Sequence, residues 1–233
     1  ELKRECTLEP AEIIAKIKDA GVVGLGGAQF PTHVKLTIPE GQKAEVLIIN
    51  GVECEPYLTS DYRNMIERGE MLLTGIEIIM RALGVERAII GVENNKPDAI
   101  KHLRNIIRRD NYRGIEVEPL KMRYPQGGEK QLIAAVTGRQ VPPPPALPIS
   151  VGAVVCNVSS AIAVYEAVQK NKPLVERVVT VTGKSLKSTH NYLARFGTSV
   201  SSLLELSGGL PEGDVKILND GWTVVTADGS LSA

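Results

Sequence analysis

The chain has 233 residues, 43% of them hydrophobic, enough apolar material for one good core or two modest ones in an ordinary globular protein. Lysine plus arginine (27) balance aspartate plus glutamate (27), so no net field draws the chain to nucleic acid or to an anionic lipid surface, and a charged ligand has to be caught locally. Apolar runs such as Val151–Cys156 fall far short of the roughly 20 residues that a membrane-spanning helix needs.

The sequence opens at Glu1 with neither a methionine nor a basic-then-apolar leader, which reads as the start of a fragment. Ile13, Ile14, Ile17 and Ala20 recur at helical spacing behind Pro10, predicting a first amphipathic helix that stops at Gly21. A glycine-rich loop and a short helix follow. Val46–Ile49 reads as a buried strand, Met71–Leu83 as an apolar helix, Ala88–Val92 as a strand and Pro97–Arg108 as a helix. The alternation continues through the strand Ile115–Val117, a helix over about 129–136, the strand Ala153–Val155 and a helix over about 161–168. This order predicts an α/β domain with a mainly parallel sheet over residues 1–172. Four consecutive prolines, Pro142–Pro145, suit a stiff extended crossing. Asn171-Lys172-Pro173 then breaks the alternation. A β-rich stretch at Val178–Thr182, a further strand, a helix at Ser199–Leu206 ended by Gly208-Gly209, and a last strand suit a small β-grasp domain over 173–233.

Four junctions carry ligand-type residues. The first is Gly24-Leu25-Gly26-Gly27-Ala28-Gln29-Phe30-Pro31-Thr32-His33-Val34-Lys35. Gly24, Gly26 and Gly27 let backbone amides approach an anion, and Lys35 adds a point charge. The loop follows a helix instead of a strand and lacks Gly-Lys-Ser/Thr, so neither the nicotinamide Rossmann turn nor the P-loop fits; a plain structural turn is the competing reading. The second is Asn50-Gly51-Val52-Glu53-Cys54-Glu55-Pro56, just past a strand's carboxyl end, where open parallel sheets collect ligands. Asn50 supplies both donor and acceptor, and the carboxylates could meet ribose hydroxyls; an acidic surface loop is the alternative. Tyr124-Pro125-Gln126-Gly127-Gly128-Glu129-Lys130 and Cys156-Asn157-Val158 are the third and fourth, each leading into a helix. The cysteines, Cys6, Cys54 and Cys156, match neither a disulfide framework nor a metal cluster and point to a reducing, cytoplasmic setting. His33, His102 and His190 lie far apart and read as surface or packing residues.

The first three motifs, in this order, resemble the C subunits of Rnf-type ion-translocating ferredoxin:NAD oxidoreductases, with the likeness running from about Ala11 to Leu210. That family is in turn similar to the flavoprotein subunit of respiratory complex I. The resemblance implies an FMN-binding α/β domain followed by a β-grasp domain, and electron transfer from NADH through FMN. It implies a flavin cradle of Gly24, Gly26, Gly27, Lys35, Asn50, Glu53, Cys54, Tyr124, Gly127, Gly128 and Asn157, with Phe30 stacking on the nicotinamide nucleotide and Glu55 and Glu129 lining its site. Leu25, Val52 and Gly128 stand where the complex I pattern has arginine, aspartate and glutamate. The resemblance further implies 4Fe-4S clusters in a segment absent here, partner subunits of a membrane-bound complex, ferredoxin as an indirect partner, and a cytoplasmic location on the membrane's inner face. The run Asn219–Ala233 departs from the family pattern. A cobalamin reductase of the PduS type shares the flavin motifs, and a non-enzymatic β-grasp binding or assembly module is the other alternative.

Overall fold

The computed structural model describes residues 2–210, 215–219 and 223–228; Glu1, residues 211–214 and, within the atypical tail, residues 220–222 and 229–233 lie outside them. The chain divides into two compact units, one of Glu1–Cys54 with Asn64–Leu174, the other of Glu55–Arg63 with Val175–Ala233.

In the first unit α1 (Pro10–Asp19) starts where Glu12 accepts the Glu9 amide at 2.8 Å, a carboxylate satisfying an otherwise orphaned donor. Its Ile13 and Ile17 are fully buried. The strands β1 (Val46–Gly51), β2 (Ala88–Glu93), β3 (Ile115–Leu120) and β4 (Ala153–Asn157) form one parallel sheet in the order β3-β2-β1-β4. Helices cover both faces, which is why β1 and β2 read as unbroken apolar runs. On one face α6 (Glu129–Thr137) sets Leu132 and Ile133 against Val46, Ile48, Ile89 and Val155. Elsewhere α4 (Gly69–Leu83) and α7 (Val158–Lys170) pack so closely that a Cβ at Gly75 would overlap the Ala161 carbonyl. This unit also holds α2 (Thr32–Leu36), α5 (Pro97–Arg109) and a 3-10 turn at Pro148–Val151.

A helix that periodicity does not reveal, α3 (Ser60–Glu67), crosses from one unit's residues to the other's. It is mostly polar; Met65 is its one fully buried apolar side chain, and beside it the buried Asn64 donates to Ser159 Oγ at 2.9 Å, so a side-chain hydrogen bond adds to what a longer apolar stripe does elsewhere. Helices α4 and α7 begin before the expected Met71 and Ala161, because Gly69 and the cap at Asn157 lie outside the apolar repeats.

In the second unit β5 (Glu176–Gly183), β6 (His190–Arg195), β7 (Val215–Asn219) and β8 (Thr223–Asp228) run in the order β6-β5-β8-β7. The first and last strands lie side by side and parallel while the other pairs are antiparallel, which is the β-grasp arrangement. Its core joins Val181 and Ala194 to Leu203 and Leu204 of α8 (Val200–Leu206), a helix capped by Ser199, whose hydroxyl accepts the Ser202 amide at 3.1 Å.

Candidate functional site

The glycine loop is a closed neck with a free tip. At the neck the Gly24 amide donates to Phe30 O at 2.8 Å and the Thr32 amide to Val22 O at 3.0 Å. Leu25, only 7% exposed, anchors one side, and its amide donates to Ser160 Oγ at 2.8 Å. The tip, Gly26 to Phe30, is exposed. Among the described residues the amides of Gly26, Gly27 and Ala28 donate to no protein acceptor. The glycines have different reasons to lack a side chain. A Cβ at Gly26 would sit 2.9 Å from Asn157 Cβ and 3.1 Å from its Nδ2, so the loop touches the end of β4 there. A Cβ at Gly24 would meet nothing nearer than Phe30 O at 3.5 Å, an ordinary contact.

Asn157 does a second job. Its Oδ1 accepts the Ser159 amide at 2.8 Å and the Ser160 amide at 3.4 Å, capping α7. In register directly beside it on β1 stands Asn50. Asn50 Oδ1 accepts the Val52 amide at 3.1 Å while Nδ2 donates to Gly127 O at 2.9 Å, which draws the loop before α6 to the same sheet edge. A Cβ on Gly127 would lie 2.9 Å from Val52 O and 3.3 Å from Cys54 Sγ, so a bare backbone is required for that approach. Gly128 caps α6, and a Cβ there would collide with Gln131 Oε1 at 2.5 Å. The departures from the complex I pattern at Leu25 and Val52 are packing residues here, both buried.

Two ion pairs border this edge. Lys35 Nζ donates to Val155 O at 2.9 Å and to Glu129 Oε1 at 3.2 Å, tying α2 to β4 and α6. Lys96 Nζ lies 3.0 Å from Glu53 Oε2 and 3.7 Å from Glu93 Oε2, and both carboxylates are buried. One ammonium thus serves two anions from the ends of neighbouring strands. Burial pushes the Cys156 thiol up to about 11, against a smaller opposing pull from Lys35, which leaves it neutral and inert at physiological pH.

The sheet edge therefore gathers Gly26, Asn157, Asn50, Gly127 and Cys54, bordered by Lys35–Glu129 and by Glu53, while Gly24 lies in the loop's neck against Phe30 and Gly27 on its exposed tip. Phe30 and Tyr124 project into solvent, 48% and 76% exposed. Glu55 is exposed and belongs to the second unit. Ser160, Lys96 and Glu93 escape sequence reading. The Asn157-Val158-Ser159-Ser160 cap pattern could have flagged the first, but nothing local pairs Lys96 with Glu53.

Residues 17–166 match the family described as the Nuo51 FMN-binding domain. The chain is 45% identical over 214 residues to the C subunit of a proton-translocating ferredoxin:NAD(+) oxidoreductase complex from Clostridium ljungdahlii, covering 92% of this chain and 46% of that protein. It is 44% identical to the corresponding subunit of the Na(+)-translocating complex of Acetobacterium woodii, covering 91% of this chain and 47% of that one. The chain thus spans about half the length of these curated relatives. Among solved structures, the NAD+-reducing [NiFe]-hydrogenase in the H2-reduced state superposes with a TM-score of 0.75 at 24% identity, over 90% of this chain and 40% of that one. That likeness shows the fold.

Proposed function

The chain belongs to the family of the Nuo51 FMN-binding domain, and on that premise we propose that it binds FMN at the carboxyl edge of the parallel sheet and passes electrons between a nicotinamide nucleotide and one-electron carriers. The observation that carries the proposal is the convergence of the glycine tip, Asn157 and Asn50 on one edge of β1 and β4. The donor set fits the cofactor. Three amides at Gly26–Ala28 without protein acceptors suit a phosphate, and the Asn50 and Asn157 amides suit a polar ring edge or ribityl hydroxyls.

FMN held there would supply the chemistry that links a two-electron nicotinamide donor to one-electron carriers. The protein's own share is positional. The glycine tip and Lys35 hold the phosphate end, Asn50, Cys54, Gly127 and Asn157 border the ring, and Phe30 offers an exposed aromatic face to the nucleotide. Glu129 balances the Lys35 charge, and the Glu53–Lys96–Glu93 cluster sets a buried anionic wall. Hydride transfer asks for no general base, in keeping with the scattered histidines. The relatives are subunits of ferredoxin:NAD(+) oxidoreductase complexes, and we extend that role to the protein of which this chain is the flavin portion. Ferredoxin, iron–sulfur clusters and the membrane partners then belong to the assembled complex, with this subunit peripheral on the cytoplasmic face. Among the described residues no helix is long and apolar enough to cross a membrane.

The test is an absorbance titration with FMN followed by anaerobic NADH. Saturable binding with a shifted flavin spectrum, then bleaching by NADH, is expected. A chain that takes up no FMN would overturn the proposal.

A further inference from the structure

Two glycines in a row, Gly26 and Gly27, give the loop's tip no direction of its own, because neither carries a side chain that restricts the backbone. What aims the amides of Gly26, Gly27 and Ala28 has to act on the residue that leads into them. That residue is Leu25, whose amide donates to Ser160 Oγ at 2.8 Å, while the Ser160 hydroxyl reaches the Val23 carbonyl at 3.5 Å. Ser160 is 2% exposed and stands in the first turn of α7, where Asn157 Oδ1 accepts its amide at 3.4 Å. One buried hydroxyl thus serves the loop as acceptor and as donor, from a capped helix start. The buried Leu25 side chain fixes where the loop sits, but it is the hydrogen bond that fixes the plane of the peptide. On the tip's near side both holds come from the same helical turn, Gly26 lying against Asn157 and Leu25 bonded to Ser160. At the neck the pairing of Val23 with Pro31 and the Gly24 bond to Phe30 O complete the frame.

We infer that Ser160 is the positioning residue of the glycine tip and, through it, the residue that makes the site select a phosphorylated flavin over the unphosphorylated one. The inference rests on the proposed seating of the FMN phosphate on the amides of Gly26, Gly27 and Ala28. Removing the hydroxyl deprives the buried Leu25 amide of this acceptor, and the least costly relief is to rotate that peptide toward another oxygen or toward water. The rotation carries Gly26 with it, and the three amides no longer converge. A site that has first to order its donors binds an anion more weakly than one whose donors already stand in place. Asn50 and Gly127, proposed to border the ring, are bonded to each other on other elements and keep that bond.

The experiment titrates the full chain, Ser160→Ala and Ser160→Thr, the last of which keeps the hydroxyl, with FMN and with riboflavin, which differs from FMN by the phosphate alone. Two quantities are read: the ratio of the two dissociation constants, and residue-resolved amide hydrogen exchange over residues 25–28. The parent should prefer FMN. Ser160→Ala should weaken FMN binding about tenfold, one hydrogen bond's worth of orientation, with riboflavin affinity unchanged, and should speed exchange at Leu25. Ser160→Thr should keep the parent's ratio. An unchanged ratio in Ser160→Ala, whether both flavins weaken together or neither does, would reduce the hydroxyl to a structural staple and overturn the inference, as would a parent that binds both flavins alike. Where Ser160→Ala fails to fold, exchange in the parent decides. A Leu25 amide protected before flavin is added, with Gly26, Gly27 and Ala28 gaining protection from FMN and not from riboflavin, sustains the inference, and a Leu25 amide as open as its neighbours overturns it. A parent that takes up neither flavin would instead sink the functional reading, and the selectivity half of the inference with it, while exchange at Leu25 still judges the hydroxyl's hold on the loop.

Discussion

Replacing Gly26 with alanine tests how the loop and the sheet edge are joined. The new Cβ would stand 2.9 Å from Asn157 Cβ and 3.1 Å from Nδ2, closer than carbon atoms pack, and Asn157 Cβ is not the far end of a flexible chain. Either the loop lifts or Asn157 turns away from the Ser159 and Ser160 amides that it caps. The first costs about 1–3 kcal/mol of overpacking strain and the second about 1 kcal/mol of lost cap. At about 2–4 °C per kcal/mol for a unit of this size, the melting temperature should fall by roughly 2–12 °C. FMN affinity should fall too, because the amides proposed to meet the phosphate move with the loop. Gly24→Ala is the internal control: its Cβ would meet Phe30 O at 3.5 Å, so stability should hold within about 0.5 kcal/mol. Calorimetry and a flavin fluorescence titration on both variants check this. Parent-like melting and FMN affinity in Gly26→Ala, or an equal loss in Gly24→Ala, would refute the assignment of Gly26 to the loop–cap contact.

Phe30→Ala removes a ring that is 48% exposed, so melting should barely change and FMN should stay bound, while NADH-driven flavin reduction weakens by about 1–3 kcal/mol of lost stacking; dithionite should still reduce the flavin, and parallel loss of FMN would assign the ring to packing. Lys96→Met withdraws the cation shared by two buried carboxylates and should destabilise the fold by about 3–5 kcal/mol in a urea titration, whereas a loss under 1 kcal/mol would mean that the pair is incidental. Cys156 should resist a thiol reagent in the native protein and react only on unfolding. Its native thiol keeps its proton up to about 11 against an ordinary 9.0, so the unfolded chain holds fewer protons across that window and stability falls as pH rises through it; Cys156→Ala should flatten this decline in urea midpoints measured from about pH 9 to pH 11.

Local chemistry determined a good deal without any fold. The apolar runs at Val46–Ile49 and Ala88–Val92, spaced by helical repeats, dictate buried parallel strands, because only helices on both faces can dry such runs. The glycine loop's place after a helix excludes a Rossmann turn, and Asn157 ahead of Val158-Ser159-Ser160 is a cap by its chemistry. Helix α3 was illegible because its buried residues, Ser60, Asn64 and Met65, include a single apolar side chain, and the asparagine is satisfied by Ser159, a partner that no periodic pattern announces. Tertiary structure alone decided that Asn50 and Asn157 stand side by side, since strand order in a parallel sheet is set by which crossovers pack and leaves no local trace. It alone set Lys96 between Glu53 and Glu93 and turned Gly26 from a generic phosphate glycine into a contact on a helix cap. Gly26 follows Leu25 directly in the chain, yet the Ser160 hydroxyl that holds the Leu25 amide is built far downstream, and only folding brings hydrogen-bonding partners so remote in sequence within reach.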